Sequence, residues 1–145
     1  MAAFNKFNIF VEDLANGVHD FTPTTGHTLK VYLTNETPSA ANDGVKGDLA
    51  EITSTSGYTA GGNTATVTTS SQTSGTYKLV LGDPATWTST GTIGPFRYAV
   101  LYNDSTTAKT DPLIGWWDYG STVTLANGES FAVDFDATTG VLTLA

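Results

Sequence analysis

From residue 28 to the end of the chain, apolar and polar residues alternate in short runs, each closed by a turn rich in Gly, Asn, Asp or Pro. A period of two sends neighbouring side chains to opposite faces of a strand, so these runs can bury only one face each unless both faces are apolar. In TLKVYLTN, Leu29, Val31 and Leu33 share one face, and Thr28, Lys30, Tyr32 and Thr34 the other. GTYKLVLGD (75–83) is stopped by Gly82 and Asp83-Pro84. PFRYAVLYND (95–104) is apolar on both sides, with Phe96, Tyr98, Val100 and Tyr102 on one and Ala99 and Leu101 on the other. A strand of that kind belongs in the middle of a sheet covered twice. In STVTLANGESFAVDF, Asn127-Gly128 separates two alternating runs and predicts a hairpin. A last turn at Thr139-Gly140 leads into VLTLA.

Short strands joined by such turns predict a mainly β fold: an antiparallel β-sandwich, with jelly-roll-like topologies included. Pro38 and the run 41–44 make a loop, DLAEI (48–52) reads as a helical turn or a strand start, and GYTAGGNT (57–64) reads as an irregular loop. No repeat or linker divides the sequence, so residues 1–145 are expected to form a single domain, with strands from about 28 onward.

One amphipathic α-helix is expected before the strands, over about residues 4–17. Phe4, Phe7, Val11, Leu14 and Val18 recur at spacings of three and four, and Gly17 can end the last turn. Ile9 projects from the polar side. Such a helix covers one face of a sheet, or serves as an arm that docks on another molecule.

Composition narrows the function classes. The chain carries a formal charge of -8 with only 14 % charged residues. An acidic surface repels phosphate backbones, which argues against nucleic acid as a partner. With no cysteine, neither disulfides nor thiolate metal sites are available. The amino terminus lacks the apolar run and cleavage site of a signal peptide, and no stretch is apolar enough to cross a bilayer as a helix, so no membrane partner is expected.

Motifs that would carry chemistry are weak. DFDATTG (134–140) resembles the Asp-x-Asp-x-Thr loop of haloacid-dehalogenase-like phosphotransferases, with Asp134 as nominal nucleophile. There the loop follows the first strand of an α/β domain, whereas here simple alternation places Asp134 and Asp136 as solvent-facing neighbours of Val133 and Phe135. Asp118, Asp134 and Asp136 match no spacing that presents carboxylates to a cation in register. His19 and His27 read as surface or loop residues, because no nucleophile signature accompanies them. GYTAGG lacks the spacing, the lysine and the following helix of a phosphate cradle. The sequence therefore points to no catalytic, cofactor-binding or metal-binding residues, to no cofactor, and to a protein that is not an enzyme.

The aromatic residues remain. Tryptophan and tyrosine beside Asp and Asn can stack on sugar rings and bond their hydroxyls, although most such rings fill a core. In LIGWWDYG (113–120), alternation puts Leu113, Trp117 and Tyr119 on one face, and Ile114, Trp116 and Asp118 on the other. Asp118 is costly to bury alone, so Trp116 is expected on the wetter face and Trp117 in the core. The candidate partner interface is then Trp116 and Asp118 together with Phe4, Phe7 and Ile9 of the amino-terminal segment.

The order of segments adds a resemblance. FNKFNIFVEDLANGVHDF, TLKVYLTNETP, GYTAGG, WTSTGTIGPFRYAVLYND and PLIGWWDYGSTVTLANGESFAVDFDATTGVLTL together resemble a group of small virion structural proteins of tailed bacteriophages. GPFRYAVLYND and LIGWWDYG are the most distinctive blocks. The resemblance implies a capsid decoration (cement) protein on the outer surface of the head, present in the host cytoplasm during assembly. Its implied partners are the major capsid protein and further copies of itself, as a dimer or trimer. It implies no catalytic or binding residues. The alternative is a carbohydrate- or receptor-binding module on the tail or head surface.

Overall fold

The structure, a computed structural model, describes residues 2–145. Its elements in chain order are β1 (Phe4–Lys6), α1 (Ile9–Ala15), β2 (Leu29–Thr34), β3 (Asn63–Ala65), β4 (Val67–Thr73), β5 (Thr76–Leu81), β6 (Trp87–Thr88), β7 (Ile93–Asn103), β8 (Leu113–Leu125), β9 (Ser130–Phe131) and β10 (Leu142–Leu144). A short 3₁₀ turn, Lys46–Asp48, lies between β2 and β3. A five-stranded sheet has the order β1-β8-β7-β2-β3, a three-stranded sheet β10-β5-β4, and a small pair joins β6 to β9. Every pairing is antiparallel. The protein is mainly β, with one α-helix among the described residues, as the alternation predicts.

The larger core joins the sheets. Leu29, Val31, Leu33, Leu101 and Ile114 of the five-stranded sheet meet Val67, Leu79 and Leu81 of the three-stranded sheet, with Trp87, Phe135 and Phe10 completing the cluster. Fully burying one such side chain contributes about 1.5–3 kcal/mol. Leu29, Val31 and Leu33 share a face as expected.

The opposite face of the five-stranded sheet carries a second buried layer of Phe7, Tyr32, Leu49, Tyr98, Val100, Tyr102 and Leu113. Its cover is the long loop after β2. The Lys46 ammonium lies 5.1 Å from the centre of the Tyr32 ring and 5.8 Å from that of Tyr102. Glu51 ties the loop down, accepting from Tyr58 Oη at 2.6 Å, from the Gly61 amide at 2.7 Å, and from Lys46. Tyr58 Oη in turn accepts the Leu33 amide of β2 at 3.1 Å. With its own polar groups satisfied, an irregular loop can roof a sheet. Hence β7, third of the five strands, is apolar on both sides.

Three expectations need correction. The amino-terminal segment is not one helix over 4–17: Phe4–Lys6 form an edge strand against Gly115–Trp117, and the helix spans only Ile9–Ala15. A spacing of three and four cannot reveal that β8 offers an unpaired edge to this segment. Gly115 permits the approach, since a Cβ there would collide with the Phe4 ring. The buried helix residues are Phe10 and Asp13, while Val11 is 52 % exposed. Asp13 tolerates burial because Lys109 Nζ lies 2.7 Å from its carboxylate.

The second correction concerns alternation itself. β7 and β8 slip register between Phe96 and Tyr98 and again between Leu101 and Tyr102. At the first slip β8 spends five residues against two of β7, and at the second two against one. An odd number of extra residues reverses the facing of what lies beyond on that strand. Where the ladder is irregular, Phe96 joins Ala99 and Leu101 in the larger core, away from Tyr98. Ile114 joins Trp117, and Leu113 joins Trp116, the reverse of the pairing that strict alternation gives.

The third is the hairpin. β9 pairs with β6, not with β8. At Asn127-Gly128 only the glycine has positive φ, 87°, whereas the two-residue hairpin turn of type I′ needs positive φ at both central positions. That geometry occurs instead at Ser74 (52°) and Gly75 (87°), which join β4 to β5.

Candidate functional site

The expected interface residues divide between two faces. Phe7 is fully buried, its ring centroid 4.5 Å from that of half-buried Trp116, and Ile9 packs against the same second layer. Phe4 lies on the other side of the sheet with its ring 5.3 Å from Trp117. Trp116 thus contacts the segment just before α1, and Trp117, 7 % exposed, is the core residue of the pair.

Asp118 is held on the surface by a bidentate pair. Arg97 Nε and Nη2 donate to its two carboxylate oxygens, each at 2.8 Å, and the Gly120 amide donates to Oδ1 at 2.7 Å. Arg97, and after it the Gly120 amide, hold the Asp118 carboxyl below the usual carboxylate range. The Arg97 guanidinium also sits 5.4 Å from the Tyr98 ring centre. Beside this pair opens a groove of about 290 Å³ lined by Arg97, Trp117, Tyr119, Phe131, Asp134 and Phe135, among others. Tyr119 is 58 % exposed and meets Phe131 edge-on at 5.7 Å. The groove offers ring surface flanked by an ion pair and a carboxylate, which suits an amphipathic ligand or a side chain of a partner.

The other carboxylates do not gather there. Asp136 accepts the Thr139 and Thr138 amides at 3.1 and 2.7 Å, and these bonds hold its carboxyl below the usual range. Among the described residues, no group of three or more His, Cys, Asp or Glu is placed to hold a metal ion. Nor is any helix among them long and apolar enough to cross a membrane.

The histidines, expected in surface or loop positions, lie in the loop between α1 and β2 and converge on Asn103, with His19 buried. Asn103 Oδ1 accepts the Ser105 and Thr106 amides, both at 3.2 Å, which fixes the orientation of the amide. Its Nδ2 therefore donates to Nδ1 of His19 at 3.2 Å and of His27 at 2.9 Å. Both imidazoles accept at Nδ1, so the proton of each neutral ring is on Nε2. An amide stands where a hydrolytic relay would place a carboxylate. Burial, foremost, lowers the His19 pKa to about 4.

Sequence reasoning missed Asn103 and Arg97. An Asn ending an apolar run reads as a turn residue, and the bulge at Phe96/Tyr98 hides which carboxylate Arg97 can reach. The Ser74-Gly75 dipeptide was a legible turn signal. Compared with protein-family models, curated proteins and solved structures, the chain matches none of them.

Proposed function

We propose that this chain is a non-enzymatic virion structural protein that binds the assembled capsid as a decoration protein, on the outer surface of the head. Its partners in this reading are the major capsid protein and other copies of itself. The observation that carries the reading is where the resemblance falls. GPFRYAVLYND and LIGWWDYG, the blocks most like phage virion proteins, are the adjoining strands β7 and β8, and most of their apolar side chains lie in the two buried layers. The distinctive residues thus build a rigid scaffold, here read as a β-sandwich of jelly-roll-like type. A cement protein needs such a scaffold, because it opposes shell expansion only if it does not deform itself. Binding the assembled shell alone stabilises that state by mass action.

The test is to mix purified protein with expanded capsids that lack it, then measure bound copies and capsid melting. Stoichiometric copies per shell and a raised melting temperature are expected. A folded protein that binds no capsid form overturns the reading. The groove beside Tyr119 and Asp134 favours a second reading, binding of a glycan or receptor. That version expects quenching of tryptophan fluorescence by a glycan, and silence across a broad panel counts against it.

A further inference from the structure

We propose that the outer edge of β4 is a self-association surface, pairing antiparallel with β4 of a second copy across a two-fold axis. The sheet order β10-β5-β4 leaves β4 terminal. Alternate N–H and C=O groups along Thr68–Thr73 face away from β5, and among the described residues no other segment bonds to them. Exposed edges of this kind recruit a further strand unless something blocks them. The other strands that end a sheet are short, three residues in β1, β3 and β10 and two in β6 and β9, whereas β4 has seven. Beyond Trp117, β8 is also uncovered on its outer side, but its ladder with β7 is broken there by register shifts. Thr68–Thr73 contain no lysine, no proline and no inward charge, and the one bulge of the ladder lies at its start, between Val67 and Thr69.

Charge selects the occupant. The chain carries −8, yet residues 52–77 contain no Asp, Glu, Lys or Arg at all. Two acidic molecules repel least where each presents a neutral strand. A Thr/Ser/Gln edge is also self-complementary, since Ser and Thr side chains across a strand pair bond one another. An isologous pair closes on itself and leaves no β4 edge free, which separates it from fibril growth. The product is one six-stranded sheet, β10-β5-β4 continued into its symmetry copy.

This inference rests on the proposed function only in that a decoration protein self-associates, and its test uses free protein with no capsid present. Sedimentation equilibrium should show a dimer of the 15.2 kDa chain. Ser71→Lys, at an exposed β4 position, should weaken dimerisation at least about tenfold through like charges brought together across the axis. Thr64→Lys on the β3 edge should leave it unchanged. Circular dichroism confirms folding of both variants. Because the chain has no cysteine, Thr69→Cys, Ser70→Cys and Ser71→Cys report proximity directly, and mild oxidation should cross-link at least one of them. Thr64→Cys should dimerise as the wild type does but form no cross-link. A wild-type protein that is monomeric at all concentrations overturns the inference, as does a dimer insensitive to Ser71→Lys. If the wild type is monomeric and Ser71→Lys abolishes only capsid binding, the edge belongs to the shell and the second copy is wrong, while the proposed function stands.

Discussion

Trp117→Ala lowers the unfolding free energy by about 3–5 kcal/mol, the cost of removing a large buried ring and leaving a cavity. Trp117 is 7 % exposed and lies between Phe4 and Phe135, with ring centroids at 5.3 and 5.2 Å. Phe4 belongs to β1 and Phe135 to the segment after β9, so the void opens between two separate stretches of chain. Trp116→Ala costs less, about 1–2 kcal/mol, because its ring is half-buried and one face meets Phe7. The measurement is a pair of denaturant titrations with m-values compared. The larger loss at Trp117, with unchanged m, is expected. Equal losses would mean that Trp116 is as deeply built into the second layer as Trp117 is into the first.

That asymmetry was legible in the sequence, but its reason was only half so. The presence of Asp118 two residues after Trp116 pointed to a wetter side, and Arg97 in fact holds Asp118 on the surface. Alternation placed Leu29, Val31 and Leu33 together and marked β7 as a central strand, because those patterns hold wherever the ladder is regular. It failed where the ladder of β7 and β8 is irregular, since extra residues on one strand shift facing and leave no mark in composition. The amino-terminal segment failed for a different reason. Phe4, Phe7 and Leu14 keep helical spacing although Phe4 sits in a strand and Phe7 in the link before the helix. Tertiary pairing to β8 overrode a local period that only seven helical residues retain. The loop after β2 carried the least local signal and holds the second layer through Glu51, a role set by partners distant in space.

Acidification from pH 6.5 to 4 removes about 3 kcal/mol of stability through His19 alone. The ring is buried among aromatics, with Phe10 at 5.2 Å and Phe21 stacked at 5.5 Å. Burial lowers its pKa from 6.5 to about 4; Asp13 opposes the shift, and His27 and Lys109 add to it. Asn103 supplies a second obstacle, since the amide hydrogen donated to Nδ1 occupies the place of the incoming proton. The unfolded chain takes up this proton below pH 6.5, whereas the folded chain does not until about pH 4. Stability is therefore fully present above pH 6.5, falls as pH drops through the window, and levels off for this group below pH 4. The carboxylates held low by hydrogen bonds, Asp20, Asp48, Asp118 and Asp136, lose their contributions only below their ordinary value of 3.8, so they do not mask the histidine. His19→Gln keeps an acceptor for the Asn103 amide and cannot titrate. Unfolding free energies measured at pH 7 and pH 4.5 should differ strongly in the wild type and much less in that variant; parallel pH dependences would place the acid sensitivity elsewhere in the chain.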